Sequence, residues 1–120
     1  MADLFVVRHG RADGNTRHRF LGWADVRLDG TGRREAEAVG ERLASADVDV
    51  VVASDLPRTV ETAAIVAGRV GVPVETDPRL REIDNGDWTL LLPTDIAAGW
   101  PELWSEYTRG HDVHRPGGER

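Results

Sequence analysis

Three short apolar runs constrain this chain most: "LFVV" at 4–7, "DVDVVVAS" at 47–54 and "VPVETDPRL" at 72–80. Each is rich in β-branched residues and bounded by turn-forming ones, the pattern of a buried strand. Two amphipathic stretches of helical length separate them. In "LDGTGRREAEAVGERLASA", Ala36, Val39, Gly40 and Leu43 recur at the i, i+3, i+4, i+7 spacing of one helix face. Asp29 or Thr31 is placed to cap it, and Arg33 and Glu37 lie four apart on the outside. In "SDLPRTVETAAIVAGRVG", Ala63, Val66, Ala67 and Val70 make the apolar face. Asp55 is the cap candidate there, Pro57 suits the first turn and Gly71 the exit. Strand, helix, strand, helix, strand implies βαβ units and a mainly parallel sheet, hence an α/β fold of three layers, α/β/α.

The remaining segments are less periodic. Residues 8–28 read as an irregular loop long enough to carry function. "REIDNGDW" reads as a polar loop, and residues 94–109 as a helix broken at Pro101, with Trp100, Trp104 and Tyr107 on one side. Aromatics at that spacing are read as core ahead of a stacking surface for a sugar or partner. The tail "GHDVHRPGGER" shows no core-forming pattern. Residues 1–120 are read as a single domain.

Composition removes several function classes. There is no Cys, hence no disulfide framework and no thiolate chemistry, which suits a reducing cytoplasm. The formal net charge is -6, a poor match to nonspecific nucleic-acid binding, which needs clustered cations. The N-terminus has no cationic, long-apolar leader pattern, and no run reaches membrane-span length. A cytoplasmic protein with neither membrane nor nucleic acid as partner is expected.

Ligands of open parallel sheets bind beyond the carboxyl ends of the strands. Those ends carry Arg8, His9 and Gly10, then Ser54 and Asp55 with Arg58 opening the next helix, then Arg81 and Glu82. Taken singly, each has an ordinary reading: a strand-to-loop junction, a solvated helix residue, a surface charge. Together they describe a phosphate pocket. Two guanidinium forks match phosphate oxygens. A neutral imidazole between them can attack phosphorus. A neighbouring carboxylic acid, Glu82, can protonate the leaving oxygen. Arg11, Arg17, Arg19 and Arg27 are further candidates for an acidic substrate's outer groups.

The motifs resemble those of the histidine phosphatase superfamily, phosphoglycerate-mutase-like branch. "VVRHGRADGN" is similar to its opening Arg-His-Gly motif with an Asn five residues on. "RFLGWADVRLDGTG", "VVASDLPRTVETAAIVA", "LREIDNGDW" and "RPGGER" resemble four further blocks in order. The resemblance implies a phosphoglycerate-mutase-like fold with His9 as phosphorylated nucleophile and Glu82 as general acid and base. It implies Arg8, Asn15 and Arg58 as phosphate ligands, a small phosphorylated metabolite as substrate, and no metal or organic cofactor. His111 and His114, three apart on the tail, are not read as a metal site. Arg11, Ala12, Leu21, Thr89 and Leu90 depart from the usual pattern around the pocket and leave substrate preference open.

The resemblance also implies a later strand, bearing a second pocket histidine, between the first and second strands of the sheet. That motif is absent from these 120 residues. Four readings follow: a fragment of a longer enzyme, direct pairing of the first two strands, a homodimer or complementing chain supplying the missing strand, or lost catalysis. The functional expectation is a phosphomonoester hydrolase acting through a phosphohistidine. The alternatives are a mutase-type phosphotransferase and a non-catalytic phosphate-binding module.

Overall fold

The computed structural model describes residues 2–13 and 15–119. Two long helices carry the architecture. Helix α1, Gly30–Leu43, starts where the Asp29 carboxylate accepts the Gly32 N–H at 2.8 Å, so Asp29 is the cap and Thr31 is not. It buries Ala36 and Gly40, with Val39 and Leu43 half-buried beside them. Arg33 does not pair with Glu37 as its spacing predicts; it reaches across to Glu61 at 2.7 Å. The longer-range carboxylate is fixed by a neighbouring helix, which sequence spacing does not register.

Helix α2, Pro57–Val70, has Pro57 in its first turn and ends at Gly71 in the left-handed conformation, both as expected. Its N-cap is Leu56, with no side-chain cap bond. Asp55 instead binds the Arg81 guanidinium through both oxygens, at 2.5 and 2.6 Å. A bidentate ion pair outcompetes a single cap bond for the same carboxylate. Ala63, Val66 and Ala67 are buried, and α2 packs against α1.

The sheet is α/β in class and parallel in pairing: strand β1, Val51–Ala53, runs alongside β2, Val74–Thr76, with Val51 opposite Val74. The connection between them is α2, which lies against both strands. Residues 4–7 depart from expectation. They form no strand, and Leu4 and Val6 are each 87% exposed. Direct pairing of the first two apolar runs is thereby corrected, since β1 is bonded only to β2 among the described residues. The second run is also less buried than predicted, with Val52 50% exposed. An apolar run makes a strand only when a neighbour takes its backbone groups, and none of the described residues does so here.

Beyond β2 the chain forms short 3-10 turns at Pro78–Leu80 and Gly86–Trp88, then helices α3, Pro93–Gly99, and α4, Pro101–Thr108. The break at Pro101 falls where expected. Trp88 and Ile96 are fully buried, and Phe20, Trp100, Trp104 and Tyr107 pack around them. The aromatic residues are core. The tail contributes to it: Val113 is buried in the same cluster, contrary to the patternless reading of that segment. A single apolar residue has no periodicity to detect. The tail is tied down by backbone bonds from Asp87 N–H to the Pro116 carbonyl (2.7 Å) and from Glu119 N–H to that of Asp84 (2.9 Å). Gly86 permits this approach, since a β-carbon there lies 2.2 Å from the Pro116 oxygen. Among the described residues no helix is long and apolar enough to cross a membrane.

Candidate active site

The His9 loop is fixed to both long helices. The buried Gly10 N–H donates to Thr62 Oγ1 at 3.1 Å, and the Thr62 hydroxyl donates to the Arg58 carbonyl at 2.8 Å. On its other side Gly10 lies against α1, where a β-carbon would sit 2.3 Å from the Gly32 oxygen. Glycine is required there by close approach, not by turn geometry.

His9 is half-buried, and its Nδ1 lies 2.7 Å from the Gly10 carbonyl oxygen. A carbonyl only accepts, so this bond places the ring hydrogen on Nδ1 and leaves the Nε2 lone pair free. Burial lowers the ring's pKa from the ordinary 6.5; the Gly10 bond opposes this, Arg58 and Arg8 lower it further, and Glu82 raises it. The result is an imidazole held neutral, in the tautomer a nucleophile needs.

Arg58 is 0% exposed. Its Nη2 donates to the Gly22 carbonyl at 2.7 Å and to Glu82 Oε2 at 2.8 Å. Its Nε and Nη1 are buried with no partner among the described residues. Buried cationic donors are rarely left unmatched, and an anion is what would match them. Asn15 Oδ1 accepts the Ala12 N–H at 2.7 Å, which leaves its amide group to donate.

Arg8, His9, Asn15 and Glu82 all line one cavity of about 660 Å³. Arg58 reaches it through its bond to Glu82. Four of the five residues named from sequence therefore share one wall surface, with the fifth directly behind. Of the four extra arginines, Arg11 and Arg19 line the cavity and Arg17 and Arg27 do not. Arg11 is already bound by Asp29 (2.6 Å) and Thr31 (2.9 Å), and Arg19 donates to the Leu90 carbonyl at 2.7 Å. His111 bonds to Glu106, and His114 to the Gly118 carbonyl at 2.9 Å.

A profile of the histidine phosphatase superfamily (branch 1) matches residues 4–120. The chain belongs to the histidine phosphatase superfamily. It is 43% identical over 86 residues to a probable phosphoglycerate mutase of Proteus mirabilis, covering 72% of this chain and 40% of the relative. It is 38% identical over 98 residues to a glucosyl-3-phosphoglycerate phosphatase of Mycolicibacterium vanbaalenii, covering 82% and 44%. Among solved structures, a mycobacterial glucosyl-3-phosphoglycerate phosphatase complexed with VO3 superposes with a TM-score of 0.82 at 35% identity, covering 92% of this chain and 53% of that one. The chain thus spans about half the length of the relatives it matches, and the superfamily relatives named here are enzymes.

In this superfamily member, sequence reasoning missed the scaffold of the site. Thr62 was visible only as a small residue on α2. Gly22, whose carbonyl holds Arg58, sits in a loop without periodicity. Trp23 donates its indole N–H to the Glu82 carbonyl at 2.6 Å and lies under the Arg81 guanidinium, 4.8 Å from ring centroid to carbon. The adjacency of Arg81 to Glu82 was the one signal that could have found this clamp.

Proposed function

We propose that residues 1–120 act as one phosphatase-like domain that carries the phosphoryl-accepting part of a phosphomonoester hydrolase. The observation that carries this is the convergence of Arg8, His9, Asn15 and Glu82 on one cavity, with Arg58 buried behind them and two of its donors unmatched. In the first step His9 Nε2 bonds to phosphorus as the ester P–O bond breaks, and Glu82 gives its proton to the leaving oxygen. In the second, water bonds to phosphorus, the N–P bond breaks, phosphate leaves and Glu82 takes the water's proton. Arg8, Arg58 and Asn15 hold the phosphoryl oxygens. Phosphate draws Arg58 off Glu82, and the carboxyl is then free to carry the proton.

The substrate is a small phosphorylated metabolite, in keeping with relatives named as phosphoglycerate mutase and glucosyl-3-phosphoglycerate phosphatase. The setting is cytoplasmic, in keeping with an acidic chain without cysteine. The mutase relative, at 43% identity, favours a second reading in which a substrate hydroxyl, not water, takes the phosphoryl group. In the same reading the exposed edge of β1 takes a strand from a second copy of the chain.

Incubation with a radiolabelled phosphomonoester should give acid-labile label in the parent and none in His9→Ala. Equal labelling of the two proteins removes His9 as nucleophile. Vanadate binding without label in the parent would mark a binding module and not an enzyme.

A further inference from the structure

The cavity is larger than a phosphoryl group needs, and its charge is uneven. Its walls carry Arg8, Arg11, Arg19 and Arg115 against two carboxylates, Glu35 and Glu82. Both carboxylates are engaged: Glu82 by Arg58 at 2.8 Å, and Glu35 by the Arg11 backbone N–H at 2.9 Å. Arg11 and Arg19 are also engaged, as described above. Arg115 differs from them. Its Nε is buried without a partner, and no carboxylate among the described residues pairs with it. Among the described residues its side chain makes one bond, a long one of 3.5 Å from Nη1 to the Val113 carbonyl.

Arg115 is nonetheless held in place. Its guanidinium carbon lies 5.3 Å from the Tyr107 ring centroid and 5.9 Å from that of Trp88. Its backbone N–H donates to the Glu119 carbonyl at 3.2 Å, within the tail that is bonded to Asp84 and Asp87. The tail thus docks onto the loop that carries Glu82. A fork fixed against two aromatic faces has little freedom left to lose on binding an anion. Arg115 lines the cavity from the tail, beside Tyr107, whereas Arg8 and His9 line it from the opening loop.

We propose that Arg115 is a specificity-determining residue: it receives a second anionic group on a substrate whose phosphoryl group sits at Arg8, His9 and Arg58. The proposal rests on the phosphoryl-pocket reading above. It selects phosphomonoesters that carry a carboxylate or a second phosphate over those ending in a neutral group. A buried hydrogen bond to a charged partner is worth about 1.5–3 kcal/mol, or roughly 10- to 150-fold in affinity.

Calorimetric titration with three ligands tests it: 2-hydroxyethyl phosphate, phosphoglycolate and the bisphosphate of ethylene glycol. At least one of the two ligands with a second anionic group should bind about 10-fold or more tightly than hydroxyethyl phosphate, and the tighter of the two names that group. In Arg115→Met, which keeps an apolar stem against Tyr107 and Trp88, that advantage should disappear while hydroxyethyl phosphate binds as before. Arg115→Lys keeps the charge without the fork and should retain part of the advantage. Equal affinity for all three ligands in the parent overturns the proposal without recourse to any variant. So does an advantage that survives Arg115→Met, or a loss shared equally by all three ligands. If no ligand binds the parent, the phosphoryl-pocket reading itself fails, and Arg115's role with it.

Discussion

His9 is a base shaped mainly by what surrounds it. Burial disfavours the charged ring most, the Gly10 carbonyl resists that, and Arg58 and Arg8 add to it. Well above pH 6.5 both the folded and the unfolded chain hold a neutral ring, and His9 adds nothing to pH dependence there. As pH falls below that value the unfolded chain takes the proton first, so His9 costs stability progressively until the folded ring also protonates. An NMR titration of the His9 ring should therefore show a midpoint below 6.5. Arg8 is exposed, so its replacement leaves packing intact; Arg8→Gln should move the midpoint upward without restoring it fully, because burial remains. An unmoved midpoint would mean that Arg8 does not face the ring.

At the scale of elements, α2 is the ruler of the site. Arg58 and Thr62 lie one turn apart, and Thr62 joins the Arg58 carbonyl to the Gly10 N–H. Thr62→Val keeps the side chain's shape but strands a buried donor. It should lower unfolding free energy by about 1–3 kcal/mol in urea denaturation, and Thr62→Ser should recover most of it. Both long helices were legible in sequence because a 3.6-residue period and end signals such as Asp29, Pro57 and Gly71 are local properties. Arg58 and Glu82 were legible because they follow the ends of β1 and β2, whereas His9 follows no strand among the described residues and is held in place by the Gly10 bond to Thr62. Residues 4–7 misled because strand formation depends on a partner that local composition does not show. Arg33 and Asp55 misled because each found a stronger partner on another element. Thr62, Gly22, Trp23 and Arg115 were silent because their roles exist only once distant segments meet.

The whole molecule is open for its mass. Its radius of gyration is 16.4 Å, where a compact chain of this length would give about 14 Å. It exposes 7691 Å², against roughly 6,400 Å² for a compact monomer of its size. Part of the excess is apolar: Leu4, Phe5, Val6 and Val7 ahead of the His9 loop, and Val50 and Val52 at β1. Exposed strand edges and apolar rows drive association between chains. Sedimentation velocity should show concentration-dependent self-association, weakened in Val6→Lys and Val52→Lys. A strictly monomeric parent at high concentration would reject pairing between copies.

The cavity draws its walls from Arg8 near one end of the described chain and Arg115 near the other. Contacts so far apart in sequence form late, after helices and hairpins have settled. The cavity therefore lacks its Arg115 wall until the tail docks on the loop that carries Glu82, however well the helices have already folded. Brief heating or proteolysis that frees the tail should weaken ligand binding before the helical signal falls.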